Sequence, residues 1–336
     1  MENNVRENIR NLKAYSSARD EFEGVDGIFL DANENPFGTL NRYPDPKQKK
    51  LKSKLGELKS IPVEEIFIGN GSDEIIDLAL RIFCEPNRDK ALTFSPTYGM
   101  YEVAAAINNV ELIQVPLTET FQIDLDQLFS ILQDTRIKLL FICSPNNPTG
   151  NILNNIESIL ERFKGIVLVD EAYIDFSKAN SFCQKINQYP RLIVAQTFSK
   201  AWGLAAARLG IAYANKELLV YFNKVKPPYN VSELNQDAGL QALENCDQYQ
   251  SNLAIIHSQK EWLEKELISI PCVVKVYPSD ANFILIEVLD AVFTYNYLIT
   301  QNLITRNRNS LVKNCLRITV GLSTENVNLI NALKKL

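Results

Sequence analysis

The sequence predicts an α/β protein with a large domain, built on a mostly parallel sheet between helices, and a smaller α+β domain. Three observations lead there. At 336 residues the chain is longer than one hydrophobic core usually organises. Between residues 66 and 213, short apolar runs alternate with amphipathic stretches, as in a parallel sheet covered on both faces. After Pro271 the texture changes to a few strands and a closing helix. The large domain is expected over residues 41–235, and the small one over 1–40 together with 236–336.

The expected strands of the large sheet fall at 66–68, 91–94, 110–115, 137–143, 166–170, 192–197 and 209–213. Helical patterns lie between them, for example at 73–83, 125–132 and 156–163. Ligands of such sheets bind beyond the carboxyl ends of the strands. A helix at 216–225 is stopped by Pro227 and Pro228, and a long helix follows from about 234 to 268. Strands at 273–276, 282–288 and 316–320 then precede a closing helix from Thr324. The first 40 residues show little alternation and are expected to pack against the small domain. The basic stretch 47–54 reads as the solvated face of a helix.

Hydrophobic residues make up 46% and charged residues 22%, close to globular averages, so disorder and coiled coils are set aside. A net charge of −5 with no long basic run argues against nucleic acid as a partner. The 6 cysteines form no C-x-x-C pair, which suits buried, reduced thiols. The polar opening lacks a signal-peptide core and no run is long enough to span a membrane, so a cytoplasmic setting is expected. The 1 histidine, His257, argues against a Ser-His-Asp or Cys-His hydrolase and against histidine-rich metal sites. It falls mid-helix and reads as structural. Proton transfer would then fall to lysine, tyrosine or carboxylates.

Four segments can carry chemistry. Gly69-Asn70-Gly71-Ser72-Asp73-Glu74 follows a strand and opens a helix. It is either an anion site of backbone N–H groups or a glycine turn capped by Ser72 or Asp73. Glu74 stands where a dinucleotide fingerprint would need Gly or Ala. Next, Ser144-Pro145-Asn146-Asn147-Pro148-Thr149-Gly150 leaves a strand end. It is either an ordinary turn or a loop that offers the Asn147 amide to a ligand oxygen. An apolar strand delivers Asp170, ahead of Glu171 and Tyr173. A buried carboxylate there needs a cation, either a protonated ring nitrogen or a structural partner. Finally, Lys200 follows a strand among small and apolar residues, with Ser199 before it and Arg208 after. A partly desolvated lysine near another cation is an amine nucleophile, and Ser199 and Arg208 suit a phosphate.

Together these segments resemble the fold-type I aminotransferases, which depend on pyridoxal 5'-phosphate (PLP), and within them the histidinol-phosphate aminotransferase family. The resemblance extends to residues 30–36, 42–46, 95–101, 227–232 and 315–321, in order along nearly the whole chain. It implies that Lys200 carries the cofactor covalently and then moves the substrate proton. Asp170 would pair with the ring nitrogen, Asn147 and Tyr173 would bond the ring oxygen, and Tyr98 would stack on the ring. Ser72, Asp73, Ser199 and Arg208 would hold the phosphate. Tyr43 would reach it from a second copy, so a homodimer is implied. For the substrate, the resemblance implies Arg317 at the terminal anion, with Tyr15, Asn33 and Arg306 completing the site. The segment Thr305-Arg306-Asn307-Arg308 departs from the family's usual Arg-Asp, and Arg308 is expected to be a solvated surface charge. Trp202 and Trp262 read as packing residues.

The implied reaction exchanges the amino group between L-histidinol phosphate and 2-oxoglutarate, running from imidazole-acetol phosphate and glutamate in histidine biosynthesis. Alternatives of the same fold are a threonine-phosphate decarboxylase and an aromatic aminotransferase. A non-catalytic cofactor-binding regulator is disfavoured by the acidic balance and by the intact set of Lys200, Asp170 and Arg208.

Overall fold

The computed structural model describes residues 4–15 and 27–336. Its strands are β1 (Ile66–Asn70), β2 (Lys90–Ser95), β3 (Glu111–Pro116), β4 (Ile137–Cys143), β5 (Ile166–Asp170), β6 (Leu192–Thr197) and β7 (Leu209–Ala214), then β8 (Val273–Val276), β9 (Phe283–Val288), β10 (Arg306–Asn307) and β11 (Cys315–Thr319). The helices used below are α1 (Glu7–Arg10), α2 (Lys49–Lys59), α3 (Ser72–Phe83), α4 (Met100–Ile107), α5 (Lys216–Val225), α6 (Glu233–Glu244), α7 (Cys246–Ile268), α8 (Ala291–Thr300) and α9 (Ser323–Leu333).

The first 7 strands form one sheet in the order β1-β7-β6-β5-β4-β2-β3. Only β7 runs against its neighbours; the rest of the sheet is parallel. The central strands are buried along their full length because both faces are covered. Alternate residues of β4 point to opposite faces, as the pleat requires. Leu140 and Ile142 enter the core that holds Leu51 and Leu55 of α2. Leu139 and Phe141 enter the core that holds Ile75 and Ile76 of α3. Each such buried side chain contributes about 1.5–3 kcal/mol. The remaining 4 strands form an antiparallel sheet, β10-β11-β9-β8. Its core gathers Leu263 and Leu267 of α7, Ile284 and Ile286 of β9, and Leu329 and Leu333 of α9.

Three features differ from the sequence expectation. The long helix breaks at Asn245, whose dihedrals leave the helical region. Its side chain donates to the Gln241 carbonyl, the acceptor that its own backbone N–H would take in an unbroken helix. Residues 4–11 pack on the large sheet's helices rather than on the small sheet. Val5 and Ile9, on one face four residues apart, join the α3 core, and Arg6 pairs with Glu85. The 2-residue strand β10 and helix α8 had no counterpart in the reading. Among the described residues, no helix is long and apolar enough to cross a membrane, and no cluster of acidic, Cys or His side chains could hold a metal.

Candidate active site

The carboxyl ends of β4, β5 and β6 converge with the start of β7 and of α3 on one pocket. Its lining includes Ser72, Asp73, Tyr98, Asn147, Asp170, Tyr173, Ser199, Lys200 and Arg208.

One end of the pocket is a tight turn. Gly71 takes a φ of +80° and caps α3 without any side-chain bond, so Ser72 and Asp73 lie inside the helix rather than capping it. The leading N–H groups of α3 therefore stay available to an anion. A Cβ on Gly71 would lie 2.6 Å from an Arg208 nitrogen, and one on Gly210 would lie 2.3 Å from the Gly71 carbonyl carbon. These two glycines let β7 bring Arg208 against the helix start. Arg208 itself holds a left-handed φ of +50°. Its guanidinium donates to the Ala205 carbonyl at 3.1 Å, the Ser199 hydroxyl at 3.4 Å and the Asp73 carboxylate at 3.5 Å. Glu74 accepts from the Asn70 N–H at 2.5 Å and from Asn230 at 2.9 Å, tying the 227–232 segment to the turn.

At the floor lies Asp170, only 2% exposed. It accepts from the Tyr101 hydroxyl at 2.8 Å and from the Ala172 N–H at 3.1 Å. Burial lifts its carboxyl to about 6, against the pull of those two bonds. Tyr101 is fully buried, stacked on Phe141 with centroids 4.9 Å apart. Sequence reading assigned Tyr101 no role, although it stands three residues after Tyr98 on α4. Tyr98 meets it edge-on at 5.7 Å and donates to Asp73 at 3.1 Å.

On the opposite side, Lys200 stands in the open mouth of the cleft, its ammonium 5.6 Å from the Tyr173 ring centroid. Partial desolvation, then the charge of Arg317, pulls it below the ordinary lysine range. Tyr173 packs edge-on against Phe283 of the small sheet at 5.0 Å. Asn147 donates to the Tyr173 hydroxyl at 3.4 Å and accepts from Arg317 at 2.5 Å. Arg317 thereby links the two sheets across the cleft.

Beside Arg317, the structure corrects the expectation for Arg308. Arg306 lies opposite Arg317 in the β10–β11 ladder and is exposed. Arg308, two residues on, is half-buried, with a buried Nε that has no partner. Burial and then Arg317 lower its guanidinium to about 10, and the Tyr173 hydroxyl is within its field. The Arg308 N–H continues the ladder to the Cys315 carbonyl, which sets its side chain on the same face as Arg306 and Arg317.

Three other expected residues lie apart from this pocket. Tyr15 is 73% exposed and borders a hollow with Pro46, Lys52 and Pro228. Asn33 is exposed with a φ of +56°. Tyr43 is half-exposed and stacks on Tyr229 at 4.4 Å. The segment after Tyr15, from Ser16 to Arg19, lies outside the described residues. Trp202 stacks on Tyr249 at 3.9 Å, Trp262 packs on the small-sheet core, and His257 is partly exposed on α7.

A seven-stranded sheet with one reversed strand, and a lysine and a buried aspartate at its ligand edge, define a class of enzyme. The chain belongs to the family of class I and II aminotransferases, which matches residues 18–333. Within that family it falls among the histidinol-phosphate aminotransferases. The protein of that name from Cytophaga hutchinsonii is 50% identical over 98% of this chain and 97% of its own length. The one from Bacteroides thetaiotaomicron is also 50% identical, with 98% and 97% covered. In fold, the crystal structure of the Clostridium acetobutylicum enzyme superimposes with a TM-score of 0.81 at 24% identity, covering 88% of this chain and 90% of that one.

Proposed function

We propose that the pocket holds PLP on Lys200 and that the enzyme exchanges the amino group between L-histidinol phosphate and 2-oxoglutarate. In the biosynthetic direction it would convert imidazole-acetol phosphate and glutamate, in the cytoplasm, as a homodimer. The supporting observation is the buried Asp170 on the pocket floor, which forms no ion pair among the described residues and faces a cleft that also presents Lys200. Such a carboxylate favours a cationic ring nitrogen as its partner. The leading N–H groups of α3, uncapped by any side chain and set beside Ser199 and Arg208, suit a phosphate.

When bound, the cofactor supplies an electron sink for the carbanion at the substrate's Cα. Asp170 holds the proton on the ring nitrogen, and Tyr101 fixes which way that carboxylate faces. Asn147 and Tyr173 bind the ring oxygen, and Tyr98 covers the ring face. Ser72 and Asp73, through the helix terminus, grip the phosphate with Ser199 and Arg208, and Tyr43 of a second copy joins them. Lys200, made less basic by its surroundings, takes the Cα proton and returns it on the other side of the transfer. Arg317 receives the terminal anion of either substrate, a phosphate or a carboxylate, through its planar fork. Arg306, Tyr15 and Asn33 belong to the substrate side. In this reading residues 41–235 form the cofactor domain, and 1–40 with 236–336 form the small domain.

The test is a single turnover. PLP-loaded protein is mixed with L-histidinol phosphate in the absence of keto acid, and the yellow absorbance is followed. Rapid bleaching is expected. A persistent yellow band would exclude this substrate, and carbon dioxide release from threonine phosphate would favour the decarboxylase instead.

A further inference from the structure

We infer that Glu171 and Gln196 are positioning residues: their buried hydrogen bond fixes the turn that presents Asp170 and Tyr173 against the strand that leads to Lys200. The inference rests on the cofactor site proposed above, although neither residue lines that pocket. Glu171 is 2% exposed and Gln196 4%. The Glu171 N–H donates to the Ala195 carbonyl at 2.7 Å, which carries the β5–β6 ladder one residue past Asp170. By the pleat, the Glu171 side chain then leaves the sheet on the opposite face from Asp170. There it accepts from the Ser181 hydroxyl at 2.5 Å, the Phe182 N–H at 2.7 Å and the Gln196 amide at 2.9 Å. The Gln196 amide also donates to the Ser181 oxygen at 3.1 Å.

A carboxylate closed to solvent without an ion pair is costly. Glu171 forms none among the described residues, and the nearby Lys59 pairs with Asp175 instead, at 3.8 Å. Three donors offset that cost only while they stay in place, so the network resists any shift of its members. Of the three, only Gln196 belongs to a strand whose end enters the pocket. Beyond this bond both chains leave the sheet. The Ile174 N–H turns back to the Glu171 carbonyl at 3.1 Å, and the Gly203 N–H turns back to the Lys200 carbonyl at 3.1 Å. Glu171 and Gln196 thus join the two turns by side chains just where the ladder stops. The reach of Lys200 toward the substrate's Cα, relative to the groups that hold the ring, depends on that spacing. A misplacement of about 1 Å in such a geometry can cost roughly 100-fold in rate.

The experiment compares Gln196→Leu and Glu171→Gln with wild type as PLP-loaded protein at about pH 8.5, above the value of about 7 to which burial lifts Glu171. Gln196→Leu cuts the bond and leaves Glu171 its other two donors. Its kcat with L-histidinol phosphate is expected to fall by about 10-fold or more, with KM changed by less than about 3-fold because no binding group is touched. The pH at which the yellow absorbance titrates should move by about half a unit or more, a mark of altered geometry at Lys200 that lost stability alone does not produce. Glu171→Gln should keep its kcat within about 3-fold of wild type, because Gln196 can turn its amide over and accept from the new one. Should Gln196→Leu fail to fold, Gln196→Asn, whose amide stops short of Glu171, reads the same effect. An unchanged kcat at a temperature where melts show the variant folded, or an equal loss in Glu171→Gln, would overturn the inference. Wild-type protein that gains no yellow absorbance with PLP would instead overturn the cofactor site on which it rests.

Discussion

The Tyr101 hydroxyl donates to Asp170 across 2.8 Å, in a part of the core where both residues are almost fully closed to solvent. The ring that carries this hydroxyl is held by Phe141 beneath it. The donor is thus rigid, and the carboxylate it addresses cannot turn freely. Removing it by Tyr101→Phe leaves the Asp170 oxygen with no side-chain donor. That should cost about 1–3 kcal/mol in the cofactor-free protein and push the carboxyl further up. The pH–rate profile should then show its acidic limb moved to higher pH. A limb that stays in place would reduce Tyr101 to a packing residue.

Asp170 also makes a prediction about pH and stability. Its folded value of about 6 lies above the ordinary 3.8, so the cofactor-free fold binds this proton more tightly than the unfolded chain does. Stability from this group is therefore full below about pH 4 and is lost as the pH rises through about 6. The gap corresponds to about 3 kcal/mol. Asp170→Asn should raise the Tm of cofactor-free protein at pH 7.5, with the advantage shrinking below pH 6, while transamination is severely impaired. A melting series across pH checks this. Glu171, lifted to about 7 by burial, is common to both proteins and drops out of the difference.

Lys200→Ala should fold normally, bind PLP only non-covalently and lose about 10²–10⁴-fold or more in transamination. Borohydride reduction of wild type, followed by peptide mapping, should place the label on Lys200. A label on another lysine would remove Lys200 from its role.

Arg317→Ala should weaken both half-reactions, each by roughly 30-fold or more. It also frees Asn147 from its 2.5 Å contact and so loosens the link between the two sheets. If only the glutamate half suffered, a shared anion site would be ruled out.

Gly210→Ala addresses the close approach of β7 to the α3 turn. The new methyl would sit 2.3 Å from the Gly71 carbonyl carbon and 2.4 Å from the Ser72 nitrogen. Both are backbone atoms, so relief requires the turn itself to move. Stability should fall by about 1–3 kcal/mol, and cofactor affinity should fall with it. Thermal melts and a PLP titration read the two effects.

Much of this molecule was legible in its sequence because the information is local. The central strands of the large sheet are short apolar runs, and Asn147, Asp170 and Lys200 follow closely where such runs end. What escaped depends on distant partners. Strand β10 is too short to carry a pattern and exists because β11 lies beside it. Arg308 looks like any surface arginine until that register sets it beside Arg317. Tyr101 sits in a motif with Tyr98, but only the fold brings its hydroxyl to a carboxylate 69 positions away. The break at Asn245 rests on one side-chain bond inside an otherwise helical pattern.

The place of β7 in the sheet also bears on how the protein is made. This strand lies between β1 and β6, so β1 has no ladder partner until residues 209–214 have left the ribosome. An emerging chain that stops short of them can pair β2 to β6, but it leaves the glycine turn after β1 adrift and lacks Arg208. Five strands can thus assemble early, while the proposed phosphate site waits for a late insertion that closes a long loop. During that interval β1 offers a bare apolar edge, and chaperone protection of nascent chains should be strongest there.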